Sequence, residues 1–173
     1  MRPYRLAVMA FGAIAGALTL APTAGAQPDC FGRPPTEVGT SAGDSLFGTP
    51  NRDVIVGRGG DDVIRGRGAI DRLCGNPGND RIGGGRGKDR ISGDTGRDRL
   101  FGARGGDLLK GERKADILQG GPRRDHLRGG RGHDLLSGGG GRDRVNGGPG
   151  GDVCFTDGDD ILRSCEEVLP AGE

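Results

Sequence analysis

The chain has 173 residues, of which 39 are Gly and 10 Pro, a proportion that marks low-complexity chain unless the glycines are periodic. Gly does not recur at every third residue, which excludes collagen. The absence of Trp, with one Tyr and five Phe, argues against an ordinary globular core, and a formal charge of +1 with both signs interleaved argues against nucleic acid as a partner.

Met1 to Ala26 carries Arg2 and Arg5, an apolar run from Leu6 to Ala21, and Ala24-Gly25-Ala26, the layout of a cleaved secretory signal peptide. A membrane anchor is the alternative, but the run falls short of the ~20 apolar residues that span a bilayer. Cys30 follows Gln27-Pro28-Asp29, without the small apolar residues that precede a lipidated cysteine. Cleavage removes two Arg, takes the formal charge from +1 to −1, and leaves no transmembrane segment. The expected location is therefore extracellular. Cys30, Cys74, Cys154 and Cys165 are even in number, which in an oxidising space favours disulfides. Zinc is disfavoured, since no C-x-x-C occurs and both His are remote from the cysteines.

After a cap segment, residues 27–38, a repeat organises the chain. Asp stands at 44, 53, 62, 71, 80, 89, 98, 107, 116, 125, 134, 143 and 152, with Gly five residues before each and an apolar residue two after each, from Leu46 to Cys154. Gly also precedes Asp by two residues at Asp62, Asp80, Asp89, Asp98, Asp107, Asp134, Asp143 and Asp152. Self-similarity at a fixed period signals a solenoid. The triplet around the apolar residue suits a short strand with its middle side chain inward, and the six residues G-x-x-G-x-D suit a tight loop with glycines at positive φ in the first and fourth places. Such loops offer carbonyl and carboxylate oxygens, hard ligands that suit Ca²⁺.

The repeat G-x-x-G-x-D-x-U-x, with U aliphatic, resembles the nonapeptide of the repeats-in-toxin, or hemolysin-type, calcium-binding family. The best copies are GNPGNDRIG, GGRGKDRIS and GGRGHDLLS. The flanks CFGRPPTEVGT and DGDDILRSCEEV resemble those of secreted, stand-alone actinobacterial members. The resemblance implies an all-β, right-handed parallel β-roll with two nonapeptides per coil over residues 39–155, a C-terminal cap over 156–173, and several Ca²⁺ ions, each between the loops of repeats i and i+2.

Several loops depart from this pattern. Ala42, Asn51, Ala69, Lys114 and Arg123 replace the fourth-position Gly. Arg52, Lys88, Arg97, Arg124 and Arg142 stand beside the aspartates, where an ion pair could take the place of a metal. The candidate metal ligands are therefore Asp62, Asp80, Asp89, Asp98, Asp107, Asp134, Asp143 and Asp152. The best-formed pairs are Asp62 with Asp80, Asp80 with Asp98, Asp89 with Asp107, and Asp134 with Asp152. Two calcium clusters are expected, at 57–107 and 130–152.

If even and odd repeats form opposite sheets, the even sheet shows Arg72, Arg90, Lys110, His126, Arg128 and Arg144 outward. The odd sheet shows Phe47, Phe101, Ile117, Leu135 and Phe155 among arginines, a face that the tails could cover. An anionic polysaccharide or cell-envelope polymer is the alternative partner, held by Arg72, Arg90, Lys110, Arg128 and Arg144. Cys154 lies in the inward column at the open end of the core, where the out-of-phase segment Asp160-Ile161-Leu162 must return, which pairs it with Cys165. Cys74 points outward beside Val54 and Val56, where the segment from Cys30 to Val38 can cover them, which pairs it with Cys30. Neither His126 nor His133 has a nucleophile at a defined spacing, and neither G-x-G-x-x-G nor a Walker sequence is present. No enzyme is expected.

Overall fold

A triplet that buries one side chain cannot hold itself together, so its neighbours must stack on it. The computed structural model, which describes residues 30–171, shows this stacking. The signal-peptide reading concerns residues 1–26, outside the described residues. The first sheet orders β1 (Glu37–Val38), β3 (Val54–Val56), β5 (Arg72–Pro77), β7 (Arg90–Thr95), β9 (Leu108–Arg113), β11 (His126–Arg131), β13 (Arg144–Asn146) and β15 (Ile161–Arg163). The second orders β2 (Ser45–Phe47), β4 (Val63–Gly68), β6 (Arg81–Arg86), β8 (Arg99–Arg104), β10 (Ile117–Pro122), β12 (Leu135–Gly140), β14 (Val153–Thr156) and β16 (Glu167–Pro170). All pairings between strands are parallel, and each joins a residue to its counterpart one coil on, as Ile64 to Ile82 and Leu73 to Ile91. The all-β roll of two nonapeptides per coil is thus present, with even repeats in the first sheet and odd repeats in the second.

The inward column from Leu46 through Ile64, Leu100 and Leu136 to Cys154 forms one continuous buried core, with Leu162 and Cys165 packed at its end. Pairing runs beyond residues 39–155 at both ends. Glu37 pairs with Ile55, so a carboxylate ends the inward column, and burial raises its pKa. At the other end Leu162 pairs with Val145 and Val168 with Cys154, because the last two turns are shorter than a full coil. The tail therefore adds β16 to the edge of the second sheet instead of lying across its face, which corrects the expectation of a tail-covered face. The N-terminal segment does cover the first sheet, where Cys30, Val54, Val56 and Cys74 form a separate buried cluster with Phe31 against it.

Both expected disulfides form. Cys30 joins Cys74 with Cα atoms 5.8 Å apart, and Cys154 joins Cys165 at 5.9 Å.

Two local expectations need correction. Strands β4 to β12 have six residues, not three, because the first half of each loop continues the ladder, as in Arg67 to Gly85 and Asn76 to Asp94. Positive φ falls on the second loop position, at Arg67 (80°), Asp94 (83°) and Glu112 (83°), and on the fourth, but not on the first. The first-position glycine answers a different demand: a Cβ at Gly75 would collide with the Asp80 carboxylate.

Candidate metal centres

The loop that ends in Asp hands the chain to a strand whose outward and inward positions alternate, which turns the aspartate in and its fifth-position neighbour out. Asp62, Asp80, Asp89, Asp98, Asp107, Asp134, Asp143 and Asp152 are all buried. One oxygen of each has a fixed task. Oδ1 of Asp80 accepts the backbone N–H of Asp62 at 2.8 Å, Oδ1 of Asp98 that of Asp80 at 2.8 Å, and Oδ1 of Asp152 that of Asp134 at 2.9 Å. The same bond recurs from coil to coil along the roll and zips consecutive loops together.

The second oxygen has no donor. Oδ2 is buried and unpaired in all eight predicted ligands, and also in Asp71, Asp116 and Asp125. A carboxylate so placed resists ionisation. Burial raises the pKa of Asp98 and Asp134 to about 6, of Asp80 and Asp89 to about 7, and of Asp116 to about 8. Neighbouring aspartates add to the rise in Asp80 and Asp89, while the bond from the preceding coil opposes it.

Carbonyl oxygens meet these carboxylates. A Cβ at Gly87 would run into the carbonyl of Ala69 and lie 3.0 Å from Oδ1 of Asp89. At Gly96 it would meet the carbonyl of Gly78 and, at 3.0 Å, Oδ1 of Asp98. Glycine in the fourth place thus lets a carbonyl of one coil press against the next coil's backbone beside Oδ1, while Oδ2 meets a first-position carbonyl: a Cβ at Gly102 would lie 2.5 Å from Oδ2 of Asp107 and 2.6 Å from the carbonyl of Gly120. Among the described residues no three His, Cys, Asp or Glu side chains gather into a metal-binding group, so backbone carbonyls must complete any site. The donor set is all oxygen, hard and anionic, which selects Ca²⁺ over softer metals.

A family model of the RTX calcium-binding nonapeptide repeat matches residues 38–73, 75–109, 101–122 and 119–154. The chain belongs to this family. No curated protein matches it. RTX nonapeptides bind Ca²⁺ at several sites along a roll, and the unpaired Oδ2 column of this chain fits that cation. Bound calcium would supply the positive charge that the buried carboxylates lack.

The RTX loops of this chain are not equivalent. In the first two, threonine at the second position takes the place of a metal: Asp44 Oδ2 accepts the N–H of Thr40 at 2.6 Å and its hydroxyl at 2.9 Å, and Thr49 does the same for Asp53. The repeated G-T-x-x-x-D was the signal in the sequence for this self-satisfied loop. At the far end Asp160 and Glu166 continue the ladder, accepting the N–H groups of Asp143 and Asp152 at 2.9 and 2.6 Å. Asp160 belongs to the out-of-phase repeat Asp160-Ile161-Leu162 visible in the sequence, whereas the spacing of Glu166 breaks the period of nine, which hid its role. The ion pairs expected beside the aspartates do not form: Arg52, Lys88, Arg97, Arg124 and Arg142 are exposed, and none is within salt-bridge distance of a described acid. Among the described residues one ion pair is present, Lys110 with Glu112 at 3.4 Å.

Carboxylate geometry does not separate the eight predicted ligands from Asp71, Asp116 and Asp125. The backbone separates them in part. Fourth-position glycines reach φ of 149° to 154° at Gly78, Gly87, Gly132 and Gly150 and 127° at Gly141, whereas Ala69, Lys114 and Arg123 stay at 68°, 74° and 86°, because a Cβ forbids the wider angle. Gly60, in the loop of Asp62, lies at 94°, close to the second group. Loops with the wider angle direct the fourth carbonyl differently.

Proposed function

We propose that the chain is a secreted structural or surface-associated module that Ca²⁺ folds or rigidifies, with ions held by Asp62, Asp80, Asp89, Asp98, Asp107, Asp134, Asp143 and Asp152 together with loop carbonyls. The buried, donor-free Oδ2 column carries this reading, since an unpaired buried carboxylate costs free energy that a cation removes. Each site at 100 times its dissociation constant adds about 2.7 kcal/mol to stability, so metal and folding are coupled. The two disulfides support an oxidising, extracellular setting, in keeping with the signal-like residues 1–26. The module has no catalytic task in this reading, and His133 is engaged with the backbone of Gly151 at 3.2 Å.

Calcium titration followed by far-UV circular dichroism tests the reading: strand signal should grow with calcium and vanish with a chelator, and a spectrum indifferent to both would refute it. The site ranking has its own test. Asp80 serves two of the well-formed pairs, so Asp80→Asn, which keeps the Oδ1 acceptor, should lower the bound calcium count more than Asp116→Asn. Equal counts in the two variants would overturn the ranking.

A second reading, binding of an anionic glycan or envelope polymer by the first sheet, draws on that sheet's outward row of Arg90, Arg128 and Arg144, none of which has an acidic partner among the described residues.

A further inference from the structure

The first sheet is not one uniform basic face. Its N-terminal third lies under the cap. Arg72 is partly buried with Nε unpartnered, and desolvation, with Arg33, Arg90 and Arg52 nearby, lowers its pKa. Arg90 stands over the Phe31 ring at 5.0 Å. Next to the cap, whose Phe31 ring also lies 5.9 Å from Lys110, the face opens into a groove of about 580 Å³ across β9, β11, β13 and β15. That is within the range of ligand sites and is room for a short stretch of a chain, not for one ion.

Strand register places the groove side chains in two rows. One runs Leu108, His126, Arg144, Ile161, and the other Lys110, Arg128, Asn146, Arg163. The second row is cationic with one amide, and Glu112 against Lys110 is the sole acid in salt-bridge range among the described residues. The first row places aliphatic surface at both ends of a basic centre. Adjacent strands lie about 4.8 Å apart, so Arg128 and Arg163, two strands apart in one row, lie about 10 Å from each other, close to the repeat of a polymer with a carboxylate on every second sugar.

We propose that this groove is a binding site for an acidic polysaccharide bearing carboxylates, with Arg128, Arg144 and Arg163 contacting the acid groups and Leu108 and Ile161 the C–H faces of the sugars. The proposal rests on the second reading above and narrows it to the C-terminal half of the sheet, without Arg72 or Arg90. Nucleic acid fits less well: single strands are held by aromatic platforms, and His126 is the one aromatic ring among the groove's lining residues. Arginine suits the carboxylate because its planar fork takes both oxygens.

The test uses the full chain, calcium-loaded, titrated calorimetrically with hyaluronate oligosaccharides and with the same oligosaccharides after reduction of their carboxyl groups. The expected result is binding of the acidic form, weakened about tenfold or more, roughly 1.4 kcal/mol per tenfold, by combined Arg128→Glu and Arg144→Glu. A control pair of equal charge change on the opposite sheet, Arg86→Glu with Arg99→Glu, should leave it unchanged, as should Arg72→Glu. Unchanged calcium midpoints by circular dichroism establish that the variants fold. Equal loss in the groove and control pairs overturns the groove while leaving the polyanion reading standing. Equal binding of the reduced oligosaccharides overturns the carboxylate contact, and no binding of hyaluronate or of polyphosphate overturns both.

Discussion

Each column aspartate splits its work between two oxygens, and the division decides how the roll responds to protons and metal. Oδ1 is committed to the preceding coil, so the proton or cation arrives at Oδ2. The folded pKa values are raised, to about 7 at Asp80 and Asp89 and about 8 at Asp116, above the ordinary 3.8. The metal-free roll therefore holds protons that the unfolded chain gives up near pH 4. Its stability is greatest below that value and falls as pH rises through about 6 to 8. Calcium needs the carboxylates ionised, so its affinity runs the other way. The calcium midpoint should rise on acidification from pH 8 to pH 5.5, by about tenfold per pH unit for each proton displaced per ion in the range where that site is protonated. Titrations at several pH values check this, and a midpoint indifferent to pH would contradict the raised pKa values. Thr49 offers a contrast. Thr49→Val removes the hydroxyl bond to Asp53 and should cost about 1 to 2 kcal/mol in urea melts of the calcium-loaded chain, while leaving the number of bound ions unchanged.

Loops and strands differ in how much of them the sequence makes legible. The inward column needs one aliphatic residue per nine, which is visible as a period, and it places Ile64, Leu100 and Leu136 in the core as expected. The buried aspartate column is equally visible. The second loop position is not, because Arg67, Asp94 and Glu112 adopt positive φ through the ladder that holds both sides of them, a tertiary demand that overrides residue preference. The first-position glycine misleads for a related reason: its requirement is space for the Asp carboxylate, and no local rule distinguishes that from a turn. Glu166 escaped as a ladder acceptor since it is aligned by a shortened turn and not by period. The fourth position remains the clearest lever on an element. Lys114→Gly with Arg123→Gly lets those loops reach the wider φ seen at Gly78 and Gly132. The double variant should bind more calcium and join the two expected clusters into one. Equilibrium dialysis against calcium reads the count, and an unchanged count would show that the fourth-position backbone does not limit binding.

In a stack where each coil touches its neighbours alone, stability is a sum along one dimension and the ends are the weakest places. The molecule closes its two ends by different means. At the N-terminal end Thr40 and Thr49 satisfy the first loops without metal, Glu37 ends the inward column, and Cys30–Cys74 fastens Phe31 and its neighbours over Val54 and Val56. At the C-terminal end Cys154–Cys165 spans a sequence separation of 11 and ties the shortened turn to the last core position. The longer loop constrains the unfolded chain more: a separation of 44 corresponds to roughly 3 to 4 kcal/mol in the chain-entropy model. Replacing Cys30 and Cys74 by serine should therefore destabilise the roll more than replacing Cys154 and Cys165. Because a one-dimensional stack frays from whichever end is loosened, the position of the damage should differ as well. Hydrogen exchange in calcium should show lost amide protection confined to β3 and β5 in the first variant and to β13 through β16 in the second, with the central coils protected in both. Uniform loss along the chain in either variant would show instead that the roll opens as a single unit and that the disulfides do not act as separate end caps.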